Sequence, residues 1–535
     1  MGFPLPEPGN IRNTGTGPAS RRETAARTEY RCVRVLLVKP NNFSDHIQPP
    51  LGLGYLAAQL RRDHDVDIYD CIKEKASPER LAEVAEAFRA DLVGVQCYTF
   101  DISKVMQILQ AVKTRCPQTL TVVGGADMTT DPVAAMRHFG PDCDYGFAGE
   151  GEIHFPVMLQ EIESKRTSFD NVPGAVWRHN GRVVANPPFL APDLDALGVP
   201  ALDLLRPDTY PEAQQGAFFE KFPICPIITT RGCPFRCRFC AAPLLAGRTV
   251  RRHSIGYVRN LIALLYHRYN IREFHILDDN FTVDIGYAKS VMREIIHMGL
   301  DISLAMPNGI RMDCVDDELL ELMKAAGVYI VSVAVESGSD HILRAMNKGT
   351  TTERIRANVA RIRRHGLDVA GFFIMGYPGE TVETIRTTAR FARELDIQRA
   401  QFMTFVPLPG SAVHDSLVAD GEISPNAWEG AHFAFAPYAP RGMARRKLRS
   451  LQRSAFLWFY LRPTVLVRHV LAIRSYRHFR FLLARFYRWI LMKPATAEPV
   501  GWADPLRRLL GRVKRILSGP RDREAVSFPS TDVAR

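Results

Sequence analysis

Apolar residues come along this chain in two rhythms. Short runs at residues 33–38 (VRVLLV), 66–69, 92–97, 120–123 and 145–147 have the length and side-chain content of buried strands. Amphipathic stretches with helical spacing lie between them, the first over 54–62. This alternation predicts an α/β domain over residues 31–165, built on a doubly wound, Rossmann-like parallel sheet. Ligands of such sheets sit at the carboxyl ends of the strands. Those ends carry Lys39-Pro40-Asn41, Tyr98-Thr99-Phe100, Gly124-Gly125-Ala126 and Gly149-Glu150-Gly151-Glu152. Residues 166–222, rich in Pro and Asp, read as a linker. Within it, Asn180-Gly181 between two β-like runs, 175–178 and 182–185, predicts a hairpin.

The same rhythms resume after residue 223. Strands are expected over 227–229, 274–277, 302–305, 330–335, 370–375 and 401–405, with helices such as 317–326 and 352–365 between them. Six βα units over 223–425 fit a partial, open (β/α)6 barrel of TIM type, whose chemistry belongs at strand carboxyl ends. Residues 426–535 break the alternation and read as a helical, basic C-terminal region. Residues 1–30 are polar, lack an apolar stretch, and read as a disordered leader without a secretion signal.

Composition changes this picture in two places. The net charge is +12, yet residues 441–493 alone hold fourteen Lys and Arg and no acid, so the basicity is one local surface. Phe456, Trp458, Phe459, Phe486 and Trp489 run through that surface, while Arg462, Arg468 and Arg474 interrupt the apolar runs and exclude a bilayer span. Two readings stay open for it and for the basic stretch 506–517. One is a helical cap on the barrel; the other is a peripheral contact with the inner face of a membrane. The second place is cysteine usage. Ten cysteines in 535 residues exclude a disulfide scaffold and fit a reducing cytoplasm, but three of them fall within eight residues.

Those three follow the first strand of the second region, in Arg231-Gly232-Cys233-Pro234-Phe235-Arg236-Cys237-Arg238-Phe239-Cys240. Gly232 and Pro234 favour a turning loop on which the sulfurs converge. Thiolates favour zinc or iron–sulfur. A structural zinc site takes four closing ligands, and no further Cys or His stands at finger-like spacing. Three thiolates on a four-iron cluster leave one iron open to another ligand. Zinc and a chance group of buried thiols remain the alternatives at this point. Arg231, Arg236 and Arg238 are expected to lower the thiol pKa values and offset an anionic cluster.

The spacing, with Phe239 directly before the third cysteine, resembles the radical SAM superfamily. Further elements agree at successive strand ends: His275-Ile276-Leu277-Asp278-Asp279-Asn280, Met306-Pro307-Asn308-Gly309-Ile310-Arg311, Ala334-Val335-Glu336-Ser337-Gly338 and Gly376-Tyr377-Pro378-Gly379-Glu380. The resemblance implies that Cys233, Cys237 and Cys240 ligate a [4Fe–4S] cluster and that Phe239 packs near the adenine of S-adenosyl-L-methionine (SAM). It implies that Glu336 and Ser337 meet the SAM amino group, and that Asp278, Asn308 and Arg311 serve its ribose and carboxylate. Where the family carries Gly-Gly-Glu this chain has Glu336-Ser337-Gly338. For Asp278 and Asp279 the rival reading is a helix N-cap.

The N-terminal region resembles the cobalamin (B12)-binding domain of methyltransferase-like radical SAM enzymes, through Pro49-Pro50-Leu51-Gly52-Leu53-Gly54-Tyr55, Val66-Asp67-Ile68-Tyr69-Asp70 and the glycine-bearing strand ends. The resemblance implies cobalamin beside Tyr98, Thr99, Gly124, Gly125, Gly149 and Glu150, with glycines admitting a flat ligand close to the backbone. A ligand-free flavodoxin-like domain is the alternative. A lower cobalt ligand needs Asp-x-His-x-x-Gly; here Asp45 and His46 are adjacent and no Gly follows at that spacing, so His46 is not expected to bind cobalt.

Together the two resemblances imply methylation of an unactivated carbon of a small or lipid-like metabolite, through a 5′-deoxyadenosyl radical and methylcobalamin. A cyclase or rearrangement reaction on the same cofactors is the alternative, followed by a non-enzymatic cobalamin-binding sensor. The resemblance further implies an electron donor such as flavodoxin or ferredoxin, and no nucleic-acid partner.

Overall fold

The computed structural model describes residues 32–41, 47–211, 219–424, 436–471 and 473. The first five strands form close to their expected positions: β1 (Arg34–Lys39), β2 (Asp65–Asp70), β3 (Leu92–Gln96), β4 (Leu120–Gly124) and β5 (Tyr145–Phe147). They are parallel in the order β2-β1-β3-β4-β5. Helices cover both faces, which is why Val35, Leu36, Leu37 and Val38 are all essentially inaccessible. The strand order reverses at β1 and β3, so the ligand crevice of this sheet opens beyond their carboxyl ends.

The hairpin departs from the linker expectation. Its strands β6 (Ala175–His179) and β7 (Arg182–Ala185) extend the sheet antiparallel to β5. The cause is apolar: Ala175, Val176 and Trp177 are buried, and Trp177 packs edge-on against Phe169 at 5.6 Å. The hairpin thereby covers an edge that would otherwise expose unpaired backbone.

The second half contains β8 (Ile224–Ile227), β9 (Thr230–Arg231), β10 (Arg251–Arg252), β11 (Glu273–Ile276), β12 (Ser303–Ile310), β13 (Val328–Glu336), β14 (Asp368–Met375) and β15 (Arg399–Thr404). Six of these form a parallel sheet in sequential order, β8-β11-β12-β13-β14-β15, the predicted open barrel. The short strands β9 and β10 pair antiparallel and frame the cysteine loop. Two expectations need correction: the first barrel strand is Ile224–Ile227, three residues ahead of the expected 227–229, and the third is longer than expected. Met306 to Ile310 do not follow the third barrel strand but belong to it, and a register shift against β13 absorbs Pro307, Asn308 and Gly309.

The basic C-terminal region starts as part of the barrel. Helix Arg445–Tyr460 buries Leu448, Phe456 and Phe459 against it, and Gln452 Nε2 donates to the Phe402 carbonyl at 2.8 Å. Gly376 is required here, because a Cβ would lie 2.4 Å from Leu448 Cδ2. For this helix the cap reading holds. Residues 474–493 and 506–517 lie outside the described residues. Among the described residues no helix is long and apolar enough to cross a membrane.

The packing makes a stability prediction. Phe459 is fully buried, whereas Trp458 is 45% exposed. Phe459→Ala is expected to cost about 3–5 kcal/mol in denaturant unfolding, and Trp458→Ala less than about 1 kcal/mol. Equal effects would mean that the helix is not docked in this register.

Candidate active site

The cysteine loop leaves β9 and is tied down at every turn. Gly232 has φ +107°, and a Cβ there would meet the Thr249 carbonyl at 2.3 Å, so only glycine fits. The Gly232 N–H donates to Asp279 Oδ2 at 3.1 Å, Cys233 N–H to the Gly247 carbonyl, and Arg238 N–H to the Met346 carbonyl. Cys233, Cys237 and Cys240 are half-buried and none is in a disulfide. The three free thiols share one anchored loop.

The arginines do not play the expected electrostatic part. Arg236 and Arg238 are exposed, and Arg231 is turned away toward the N-terminal domain. Burial pushes the Cys233 thiol up and the Cys240 thiol up to about 11. The cation that opposes this at Cys233 is Lys348, which sequence reasoning missed. Lys348 is buried and pairs with Glu336 at 2.9 Å, and its Nζ lies 5.7 Å from the Phe239 ring centre. Burial alone would lower its ammonium, but Glu336 and then the Cys237 sulfur raise it above the ordinary lysine value. The available signal was Met346-Asn347-Lys348-Gly349, which follows the helix Asp340–Ala345 after the fourth strand.

Other expected SAM contacts prove to be braces. Asp278 is neither a free carboxylate nor an N-cap: it accepts from Thr229 N–H at 2.6 Å, Thr229 Oγ1 at 2.5 Å and Thr230 Oγ1 at 2.8 Å. Burial pushes its carboxyl up to about 6. Arg311 donates to the Lys348 carbonyl at 2.7 Å and stacks on Phe235 of the loop at 3.9 Å. Ser337 is fully buried with its hydroxyl 3.2 Å from Thr388 Oγ1, away from the loop. Asn308 is exposed at the barrel mouth and donates to the Leu277 carbonyl. Phe239 packs among Ile342, Met346, Tyr377 and Phe405. Of the six expected SAM residues, Glu336, Asn308 and Phe239 keep a surface toward the mouth or the lysine.

Glu150, expected beside cobalamin, is engaged by protein groups and clamps the two halves together. Arg251 grips it with two hydrogen bonds of 2.7 Å, Arg231 approaches to 3.2 Å, and Ala191 N–H donates at 2.7 Å. Arg231 also donates to Glu152 at 2.8 Å. All four charged side chains are no more than 12% exposed. Burial alone would raise the Glu150 carboxyl, but Arg251 and Arg231 outweigh it and hold it below the usual range. Tyr55, with Arg231 5.4 Å from its ring, shares a 2.8 Å hydrogen bond with Tyr257 beside the clamp.

The glycines of the N-terminal strand ends are likewise explained internally. At Gly125 (φ +102°) a Cβ would meet the Cys97 carbonyl at 2.8 Å, and at Gly149 (φ +82°) the Pro188 Cβ at 2.5 Å. At Gly124 a Cβ would make only ordinary contact. Thr99 is buried. Among the described residues at the switch point, Tyr98, two positions past β3, is 48% exposed. An aromatic side chain offered in this crevice fits a flat macrocycle. His46 lies outside the described residues.

A B12 binding domain family matches residues 44–159, and the radical SAM superfamily matches residues 227–392. The chain is 31% identical to an uncharacterised methyltransferase of Pyrococcus horikoshii, over 83% of this chain and 93% of that one. It belongs to the cobalamin-dependent radical SAM methyltransferase family. The cytidylyl-2-hydroxyethylphosphonate methyltransferase of Streptomyces wedmorensis is 29% identical over 74% of this chain and 83% of its own. Among solved structures, the radical SAM methyltransferase TsrM from Kitasatospora setae, with cobalamin and a [4Fe–4S] cluster bound, shares the fold with a TM-score of 0.61. That match covers 73% of this chain and 75% of TsrM at 22% identity. As a family member the chain uses a [4Fe–4S] cluster, SAM and cobalamin.

In a cobalamin-dependent radical SAM enzyme the two cofactor domains must face each other, and here the clamp sets that relation. Arg251→Ala leaves the largely buried Glu150 with only the more distant Arg231 and the Ala191 N–H, and is expected to cost about 3–5 kcal/mol in unfolding at pH 7. Arg251→Lys should recover only part, because one ammonium cannot replace a bidentate fork. The carboxyl of Glu150 is depressed in the folded state. Its contribution is therefore complete above the unfolded Glu value of about 4.3 and is lost as pH falls through the lower folded value. A loss below about 1 kcal/mol for Arg251→Ala would contradict the clamp.

Proposed function

We propose that Cys233, Cys237 and Cys240 hold the [4Fe–4S] cluster, and that the enzyme methylates an unactivated carbon of a small molecule held between the barrel mouth and the N-terminal crevice. The observation that carries this reading is the anchored three-thiol loop set across a clamp from a B12-type crevice. When bound, the cluster and SAM supply the one-electron chemistry and cobalamin the transferable methyl group. The chain's own residues supply position and charge. Asp278, Asp279 and Arg311 brace the loop, and Lys348 places a buried positive charge beside the sulfurs. Tyr98 presents its ring at the crevice after β3.

A protein electron donor of flavodoxin or ferredoxin type is part of the proposal, since SAM cleavage consumes an electron. So is peripheral membrane contact, which rests on the sequence of 474–493, where Arg485 and Arg488 alternate with Phe486 and Trp489.

Anaerobic reconstitution tests the reading. The wild-type chain should take up about four irons, and the variant with all three cysteines changed to Ala should take up almost none. With substrate, S-adenosylhomocysteine and 5′-deoxyadenosine should form in comparable amounts, because methylation uses SAM in two ways. Turned-over substrate with 5′-deoxyadenosine alone would favour the cyclase or rearrangement reaction.

A further inference from the structure

A second constellation lies apart from the cysteine loop. A cavity of about 240 Å³ opens beside β8, the free edge of the barrel sheet. Its walls include Ile47 and Gln48 from the loop after β1, Asp208 and Tyr210 from the connecting segment, and Ile224 and His275 from the barrel. At about 30 Å³ per water it has room for roughly eight waters, enough for one end of a small molecule.

The barrel side of this cavity carries an oriented imidazole. Glu273 is fully buried, and four donors converge on its carboxylate. Glu220 N–H at 2.5 Å and Lys221 N–H at 2.7 Å reach one oxygen. Tyr329 OH at 2.8 Å and His275 Nε2 at 2.8 Å reach the other. A carboxylate so surrounded can only accept, so Nε2 is the ring nitrogen that donates to it and Nδ1 is the one turned to other partners. His275 is 1% exposed and lines the cavity, and no donor among the described residues reaches its Nδ1. This is the arrangement by which a second carboxylate fixes a histidine's tautomer for use on a ligand.

Of the remaining polar groups of the cavity, the Gln48 amide can donate or accept, and the carboxylate of Asp208 accepts. Asp208 is exposed and makes no ion pair among the described residues. The hydroxyl of Tyr210 gives its proton to Asp70 at 2.9 Å. The nearby ammonium of Lys39 is spent on Asp70 and the Gln48 carbonyl. The acceptors His275 Nδ1 and the exposed Asp208 carboxylate, set among the apolar walls Ile47, Phe222 and Ile224, complement a ligand that donates.

We propose that this cavity is a substrate subsite for a cationic amine, with His275 Nδ1 accepting an N–H and Asp208 neutralising the charge. The assignment rests on the methyltransferase reading and names the class of its substrate: a small molecule with an amine at one end and an apolar body.

The test is calorimetric titration of the full-length, reconstituted enzyme at pH 8 with phenethylamine and with 3-phenylpropionate, two probes of similar size and opposite charge. The amine should bind about tenfold tighter or more. Asp208→Asn, at an exposed position, should weaken the amine about fivefold and erase most of the preference. His275→Phe should weaken it by about tenfold, and His275→Gln, whose amide oxygen still accepts, should restore part of the loss. Iron content after reconstitution reports that each variant has folded. In 15N-histidine spectra, the Nδ1 signal that disappears in His275→Phe should shift when the amine is added. No binding of the amine, equal affinity for the two probes, wild-type affinity in both Asp208→Asn and His275→Phe, or an unmoved His275 signal would overturn the assignment. Formation of 5′-deoxyadenosine without S-adenosylhomocysteine would instead overturn methyl transfer and leave these binding results standing.

Discussion

A buried arginine two residues ahead of the first cysteine cannot be left unpaired, and the acids that neutralise it come from the other domain. Arg231 sits on β9 and reaches Glu150 and Glu152, which begin the helix after β5 of the N-terminal sheet. Removing one partner of a buried ion pair costs several kcal/mol, far more than intact pairs contribute on a surface. The domains therefore hold one relation, in which Arg251, Arg231 and both glutamates are satisfied together. Acids in the first turn of a helix are also favoured by its dipole, which places Glu152 well.

The site inherits its order from that constraint. The cysteine loop departs from the clamp, so its first anchor is the clamp itself. Its further anchors come from successive barrel strands: Asp278 and Asp279 after β11, Arg311 after β12, Lys348 after β13. Asp278, Asp279 and Arg311 stand within three residues of a strand end, Lys348 lies beyond the helix Asp340–Ala345, and each fixes backbone or charge. Lys348 is a buried positive charge beside sulfurs that burial disfavours as thiolates. The C-terminal helix adds stiffness behind β14 and β15 through Leu448 and Gln452.

The strands were legible because apolar runs and their spacing are local properties. Even the short β5 was found at its true bounds, and the cysteine loop was found because its chemistry is written in eight consecutive residues. The pairings were not legible. Arg251 and Glu150 are 101 residues apart and Thr229 and Asp278 are 49 apart, and nothing local says which acid meets which base. Motif proximity assigned Glu150, Asp278, Arg311 and Ser337 to ligands, whereas burial required each to satisfy another protein group first. Gly125 and Gly149 misled for a related reason: a glycine marks a close approach but does not say to what. The hairpin was read correctly as a turn and wrongly as a free linker, because sheet membership depends on an edge 28 or more residues upstream of it.

The clamp joins the two domains, and with them the separation that a cluster on the cysteine loop and cobalamin in the N-terminal crevice would take when bound. Pulsed electron paramagnetic resonance on the reconstituted enzyme, with a reduced cluster and cob(II)alamin as the two spins, measures it directly. A single narrow distance distribution is expected in the wild-type chain, and a broadened one in Arg251→Ala. A broad distribution in the wild type, or one that Arg251→Ala leaves unchanged, would contradict the account.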